Sequence, residues 1–441
     1  MLRFSSILSC CISALFANST YAAYVLDIDA NSVEAAAWVI YDPQSKQVIA
    51  AHNETAQRAP ASLTKMMVGY LALQAIQQGT LQRDQVVTVP EVVRTVKWDE
   101  SRLKLQPNDK ITVEELIAGL IIMSANDAAL TLAELISGDV AQFLQLMNST
   151  AAKLGMQHSH FSNPSGITMQ AHYASTLDLA LLSQAIVKET PEYLYYSKQP
   201  EFNFQDIHHE ATNILLKIDP SVDGLKTGYT AAAGYNLALS ANRLDQHTNT
   251  YRRLIVIVMG SNSIQKRAEI AHKLLNIGYN YTQTAPLFNR EQKLAEIPVV
   301  NGKKLYYQVN LAAQHSYNTL SLLPSQQQLN LQQFDNTQQR FVLNSSNSET
   351  LTPLLEPTHI DIQVKLLAPQ LTAPLYEQQF PLAHIELSQF NQPIHAISVQ
   401  QDIELEQIDW WQRLFLQFKH LIQRLFGKSD NKALIYPITA E

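Results

Sequence analysis

Between residues 223 and 260 the chain passes from one strand to the next with no helix in between, and Leu254-Ile255-Val256-Ile257-Val258-Met259-Gly260 is an unbroken apolar run. Such a run reads as a strand buried on both faces, and strands that follow one another without a crossover helix pair antiparallel. The other end of the same unit is also strand-like: Ala36 to Tyr41, the turn residues Asp42-Pro43-Gln44, and Val48 to Ala51 form a predicted hairpin. A further strand is expected at 235–241. Helical periodicity fills the interval at 62–78, 112–123, 126–137, 139–154 and 175–188, and returns at 263–280. Strands at both ends with helices between them predict an α/β (α+β) domain, one antiparallel sheet flanked by helices, rather than a repeating βαβ unit.

The remainder of the 441 residues reads differently. Residues 1–22 carry Arg3, an apolar stretch from Ile7 to Ala17 and the small residues before Ala23, the pattern of a secretory signal cleaved after Ala22. The expected address is therefore outside the cytoplasm. Cys10 and Cys11 are the only cysteines and leave with that segment, so neither a disulfide framework nor a thiolate metal site is available. Nothing in the sequence calls for a metal or an organic cofactor. With 32 Lys plus Arg against 39 Asp plus Glu, a net charge of −7, the chain lacks the surface of a general nucleic-acid binder.

Residues 23–283 make up the first domain. From 284 to 405 glycine all but disappears, glutamine becomes frequent, and short alternating segments such as Ile360-Asp361-Ile362-Gln363-Val364-Lys365-Leu366 recur, which predicts a small all-β domain. It carries no cluster of catalytic residue types and reads as a spacer or an interaction module, with cell-wall synthesis proteins as candidate partners. Residues 406–428 form an amphipathic helix ahead of a tail at 429–441. Trp411, Leu414, Phe415, Phe418, Leu421, Ile422 and Leu425 share one face, Trp410 precedes them, and Arg413, Lys419, His420 and Arg424 lie opposite. At about 2.5 kcal/mol or more for each cation in hydrocarbon, this helix is expected to lie in the interface of an anionic membrane rather than cross it.

The chemistry concentrates in three short motifs. Ser62 opens a helix in Pro60-Ala61-Ser62-Leu63-Thr64-Lys65, and a spacing of three brings the Lys65 amine to the same face. A serine hydroxyl needs a base at neutral pH, and a lysine whose pKa is lowered by burial and neighbouring cations supplies one. The spacing alone is weak, since Ser101/Lys104, Ser263/Lys266 and Ser429/Lys432 share it. Lys226-Thr227-Gly228 occurs once, and an ordered series follows from it: S-x-x-K at a helix start, Ser124-Ala125-Asn126 in a turn between helices, K-T-G on a strand. In that arrangement Ser62 is the nucleophile, Lys65 its base, and Ser124 bridges Lys65 and Lys226 for proton transfer. Asn126 donates to a substrate amide, Gly228 leaves backbone space, and the amides of Ser62 and Tyr229 form an oxyanion hole.

With their surroundings, these motifs resemble the low-molecular-mass penicillin-binding proteins that act as D-alanyl-D-alanine carboxypeptidases. The matching stretches are Ala59 to Met67, Ser124 to Ala129, Val222 to Gly228, Ala233 to Leu237 and Phe341 to Ser346. The resemblance implies a β-lactamase/transpeptidase-like catalytic domain, a β-sandwich stalk and a membrane-bound tail on the periplasmic face of the inner membrane. It implies peptidoglycan stem peptides as substrate and β-lactam antibiotics as covalent inhibitors. It also places Arg267 with Thr227 on the substrate's terminal carboxylate, against the plainer reading of Arg267 as an exposed helix residue. Tyr229, Ala125, Ser165 and Thr212 depart from the residues usual in the family. Endopeptidase, β-lactamase and catalytically silent scaffold remain as alternative readings. For the β-lactamase, Glu189 and Glu192 are poorly placed as a water-activating base.

Overall fold

The computed structural model describes residues 26–245, 249–286, 292–311, 318–322, 334–335, 340–341, 343–344, 350–353, 360–368, 370–389, 392–412, 414–415, 418 and 434–435. The expected signal segment and Leu421, Ile422 and Leu425 lie outside them.

Five strands, β1 (Ala37–Asp42), β2 (Gln47–His52), β3 (Val222–Thr230), β4 (Gly234–Asp245) and β5 (Thr250–Ser261), make one sheet in the order β2-β1-β5-β4-β3. Every neighbouring pair is antiparallel. The hairpin at its edge turns on Asp42, whose carboxylate accepts from the backbone N–H groups of Gln44 and Ser45. Fully buried, that carboxylate also pairs with Arg252 at 3.1 Å, so its charge is compensated inside the protein.

The apolar run at 254–259 divides as a period of two requires. Leu254, Val256 and Val258 face helix 264–281 in one core, with Ala268, Ala271, Leu274 and Leu275. Ile255, Ile257 and Met259 face the larger helical body in the other, with Met66, Met67, Tyr70, Leu120 and Leu182. Burial on both faces is why this strand shows no polar alternation.

Helix α1 (Lys65–Gln77) runs through the second of these cores, with ten of its thirteen residues buried. A single 3-10 turn, Ala61–Thr64, leads into it. Helix α2 (Asn126–Ser137) follows a short helix that widens into a π turn over Gly119–Met123. Helices at 140–153 and 176–189 complete the body, and the predicted boundaries hold within one or two residues. Small hairpins at 201–210 and 86–112 were not foreseen; their strands have three or four residues each, too short to carry a clear alternation.

A third core, from Leu294 to Leu405, lies between two small sheets. The alternation read at 360–366 is a strand there, paired antiparallel with 383–389. Among the described residues no helix is long and apolar enough to cross a membrane.

Candidate active site

Ser62 sits in the 3-10 turn, partly exposed, and Lys65 begins α1 fully buried. Their side-chain atoms Oγ and Nζ are 3.0 Å apart. Burial, reinforced by the positive charge of Lys226, holds the Lys65 pKa well below its ordinary value; Glu100 and Asp127 act weakly the other way. The shift is toward the neutral amine, which is the form a base requires. Lys65 Nζ also donates to the backbone carbonyl of Ser165 at 2.6 Å. Only the carbonyl of residue 165 is used, so its departure from the family's side chain leaves this contact intact. The following Gly166 has φ +89°, and a Cβ there would come within 2.0 Å of the Ala61 carbonyl oxygen. The loop therefore reaches Lys65 only with glycine at 166.

Behind the pair stands His172, buried, with a fixed tautomer. Ser162 N–H donates to its Nδ1 at 3.0 Å, so Nε2 carries the hydrogen and donates to Thr64 Oγ1 at 2.9 Å. Thr64 in turn donates to the Ala61 carbonyl at 2.8 Å, steadying a residue held at φ +51° beside Ser62. Burial lowers the His172 pKa to about 4. Asn236, also buried, donates to the carbonyls of Ala59 and Pro60 and accepts from Gly260 N–H, which ties the approach to Ser62 to the sheet.

Ser124 closes the π turn in the left-handed conformation at φ 68°. Its hydroxyl is buried and makes no hydrogen bond, so the expected bridge to Lys65 and Lys226 is not formed. Asn126 begins α2, and its side-chain amide donates to Glu100 at 2.6 Å. One of its two N–H groups is thus held by a carboxylate that the motifs do not include, which leaves the other to donate. Neighbouring Asp127 is held by the N–H groups of Leu103, Leu105 and Ala128.

Strand β3 supplies the opposite wall. Lys226 and Thr227 are buried, and Lys226 Nζ donates to the Thr227 carbonyl at 3.0 Å. Burial and Arg267 push the Lys226 pKa down to about 7. A Cβ on Gly228 would lie 2.9 Å from Ser62 N, so glycine allows this strand to meet the Ser62 backbone. Tyr229 is half exposed and packs its ring on Tyr235, with centroids 4.4 Å apart.

Arg267 is not an exposed helix residue. It is 3% exposed and donates to the carbonyls of Thr212 and Asn236, while its Nε has no partner. Burial lowers its pKa to about 10. The Thr212 and Thr227 hydroxyls are hydrogen-bonded to each other, so this departure joins the site through its hydroxyl as well as its carbonyl. Two buried cations, Lys226 and Arg267, with a spare N–H between neutral partners, suit a carboxylate.

The look-alike motifs disperse. Ser263 caps helix 264–281, and Lys266 pairs with Glu34 and Glu269. Ser101 Oγ donates to the Met123 carbonyl, and Ser429/Lys432 lie outside the described residues. Glu189 and Glu192 accept from Tyr70 and Gln77 on α1.

The model of the D-alanyl-D-alanine carboxypeptidase family (peptidase S11) matches residues 25–263. This chain belongs to that family. The carboxypeptidase is 36% identical over 277 residues to DacD of Escherichia coli K12, spanning 62% of this chain and 70% of that one. It is similar in structure to penicillin-binding protein 5 of Haemophilus influenzae, with a TM-score of 0.67 and 27% identity over 85% of this chain and 98% of the other. A third likeness, at TM-score 0.50 and 30% identity over 56% of this chain and 98% of the other, is to penicillin-binding protein D2 of Listeria monocytogenes in its ampicillin-bound form. The protein is a serine D-Ala-D-Ala carboxypeptidase on a penicillin-binding-protein fold.

Proposed function

We propose that Ser62 carries the reaction, on the terminal D-Ala-D-Ala of peptidoglycan stem pentapeptides. The observation that supports it is the 3.0 Å approach of Ser62 Oγ to a buried, neutral-favouring Lys65 amine. The Ser62 hydroxyl gives its proton to Lys65 Nζ as Oγ adds to the carbonyl carbon, and the oxyanion is met by the amides of Ser62 and Tyr229. Collapse breaks the peptide bond. The departing amine of D-alanine takes its proton through Ser124, and water then hydrolyses the ester on Ser62. Lys226, Thr227 and Arg267 hold the terminal carboxylate, and Asn126 holds the peptide's amide. A β-lactam presents the same carboxylate and a strained amide, so it is expected to acylate Ser62; the ampicillin-bound relative supports this reading.

The reading extends to location. Trp410, Trp411, Leu414, Phe415 and Phe418 are all exposed, an apolar patch without cover among the described residues. Together with the basic residues interleaved in the sequence, it supports peripheral attachment to an anionic surface, at the periplasmic face of the inner membrane once the signal is removed. The all-β region is read as the spacer that sets the site's distance from that surface, with cell-wall synthesis proteins as its candidate partners.

The deciding experiment is product analysis by mass spectrometry on pentapeptide and on cross-linked dimer, with wild type and Ser62→Ala. Release of D-alanine from pentapeptide by wild type alone, with a fluorescent penicillin bound only when Ser62 is present, is the expected result. Cleavage of the dimer alone assigns an endopeptidase, and labelling that survives Ser62→Ala moves the nucleophile elsewhere.

A further inference from the structure

Glu100 has no part in the chemistry above, yet the chain invests several contacts in its position. The loop that bears it is pinned to the Ser124 turn: Asn126 N–H donates to the Ser101 carbonyl at 2.7 Å, Ser101 Oγ to the Met123 carbonyl at 2.6 Å, and the Leu103 and Leu105 amides to Asp127, each at 3.0 Å. So held, Glu100 accepts from Asn126 Nδ2 at 2.6 Å. No lysine, arginine or histidine pairs with it among the described residues. Its charge is felt at Lys65, but a partly buried carboxylate whose hydrogen-bond partner is a neutral amide still has no cation in contact.

We propose that Glu100 is a specificity-determining residue that selects substrates with a side-chain ammonium on the residue preceding D-Ala-D-Ala. The inference rests on the reading of Asn126 as donor to the substrate's amide. That amide's carbonyl belongs to the preceding residue. Asn126 Nδ2 carries two N–H groups: one stays on Glu100 while the other donates to that carbonyl, which sets the Glu100 carboxylate next to that residue's side chain. A neutral side chain there leaves the carboxylate with a neutral amide alone, whereas an ammonium adds a charge-assisted hydrogen bond. Discrimination then lies in substrate capture and weakens as salt screens it.

The test compares Nα-acetyl-Lys-D-Ala-D-Ala with its Nε-acetylated counterpart, which differ by the one ammonium. Wild type is expected to prefer the free amine by about tenfold in kcat/KM, the scale of one charge-assisted hydrogen bond. In Glu100→Gln, which keeps an oxygen acceptor for Asn126 without the charge, the preference should collapse toward unity. In Glu100→Asp it should persist in part. Ampicillin against benzylpenicillin, which differ by an ammonium beside the side-chain carbonyl, reads the same preference in acylation rate without turnover. A wild-type preference that Glu100→Gln leaves unchanged, or no preference in wild type, overturns the role of Glu100. Benzylpenicillin found on Ser62 of wild type by mass spectrometry keeps that failure distinct from failure of the underlying reading. Absence of that adduct overturns both.

Discussion

Lys65 Nζ lies 2.6 Å from the backbone carbonyl oxygen of Ser165, a hundred positions later in the chain. This contact decides where the amine's lone pair points. A neutral amine has two hydrogens and one lone pair; one hydrogen spent on the Ser165 carbonyl leaves the lone pair to turn toward the Ser62 hydroxyl 3.0 Å away. The same carbonyl would also hold a protonated Lys65, so neutrality must come from burial and from Lys226 rather than from this contact.

Replacing Lys65 by arginine puts a permanent cation there and removes the base, because a guanidinium does not lose its proton in this range. Lys65→Arg should lower the second-order acylation rate by fluorescent penicillin by about 10²–10⁴-fold, the span of a general base. In wild type, acylation should rise with pH as Lys65 loses its proton, with the midpoint well below 10.5. Stopped-flow labelling across pH checks both; a midpoint near that of a free lysine removes the burial argument.

Ser124 sets activity against stability. Its hydroxyl is buried without a hydrogen-bond partner, so deleting it relieves an unsatisfied group. Ser124→Ala should therefore leave the melting temperature unchanged or raise it slightly. Peptide turnover should fall by about 10²-fold or more, as expected when a proton carrier is lost. Calorimetry beside a D-alanine release assay separates the two, and a large drop in melting temperature would make Ser124 a structural residue instead.

Much of this was legible before any coordinates. The three motifs occur in order, and the long apolar strand and the periodic helices announce the frame that brings them together. What escaped was whatever depends on backbone or on single residues in loops. The Ser165 carbonyl carries no side-chain signature. Glu100 stands in a charged stretch, Lys97 to Lys104, where a catalytic neighbour looks like any solvated acid. Arg267 occupies a helix whose first turn is polar, so its burial follows only from the way that helix caps the sheet. The Asn126–Glu100 hydrogen bond and the unbonded Ser124 hydroxyl depend on how two loops pack together, and no motif encodes them.

His172 makes the site sensitive to acid. Its pKa is lowered to about 4 by burial, with the His160 and Lys65 charges adding to it, against about 6.5 in an unfolded chain. The unfolded state therefore binds the proton first: the stabilising contribution is whole above pH 6.5 and is lost as pH falls toward 4. The full difference is on the order of 3 kcal/mol. Protonation would also set an Nδ1–H against the Ser162 N–H that now donates to it. Urea unfolding from pH 7 to pH 4 should show this loss, and His172→Gln should flatten the slope. An unchanged slope in the variant assigns the acid sensitivity to other groups.

The terminal patch yields the last expectation. Each exposed aromatic or leucine from Trp410 to Phe418 keeps apolar area in water at a cost of about 25 cal/mol for every Å², a cost an interfacial site relieves. Basic residues at 413, 419 and 424 add attraction to an anionic headgroup layer. A variant ending at residue 407 should stay in the supernatant when sedimented with vesicles of phosphatidylglycerol and phosphatidylethanolamine, whereas the full chain pellets. Its kcat/KM on a soluble peptide should match the full chain within about twofold, since Leu63, Met66, Ala125 and Leu225, the neighbours of the site residues, pack in the larger helical core and not in the one from 294 to 405. Sodium chloride at about 1 M should weaken the full chain's attachment without abolishing it, because salt screens the charges but leaves the apolar term in place. Pelleting of the truncated variant to the same extent as the full chain removes the anchor from residues 408–441.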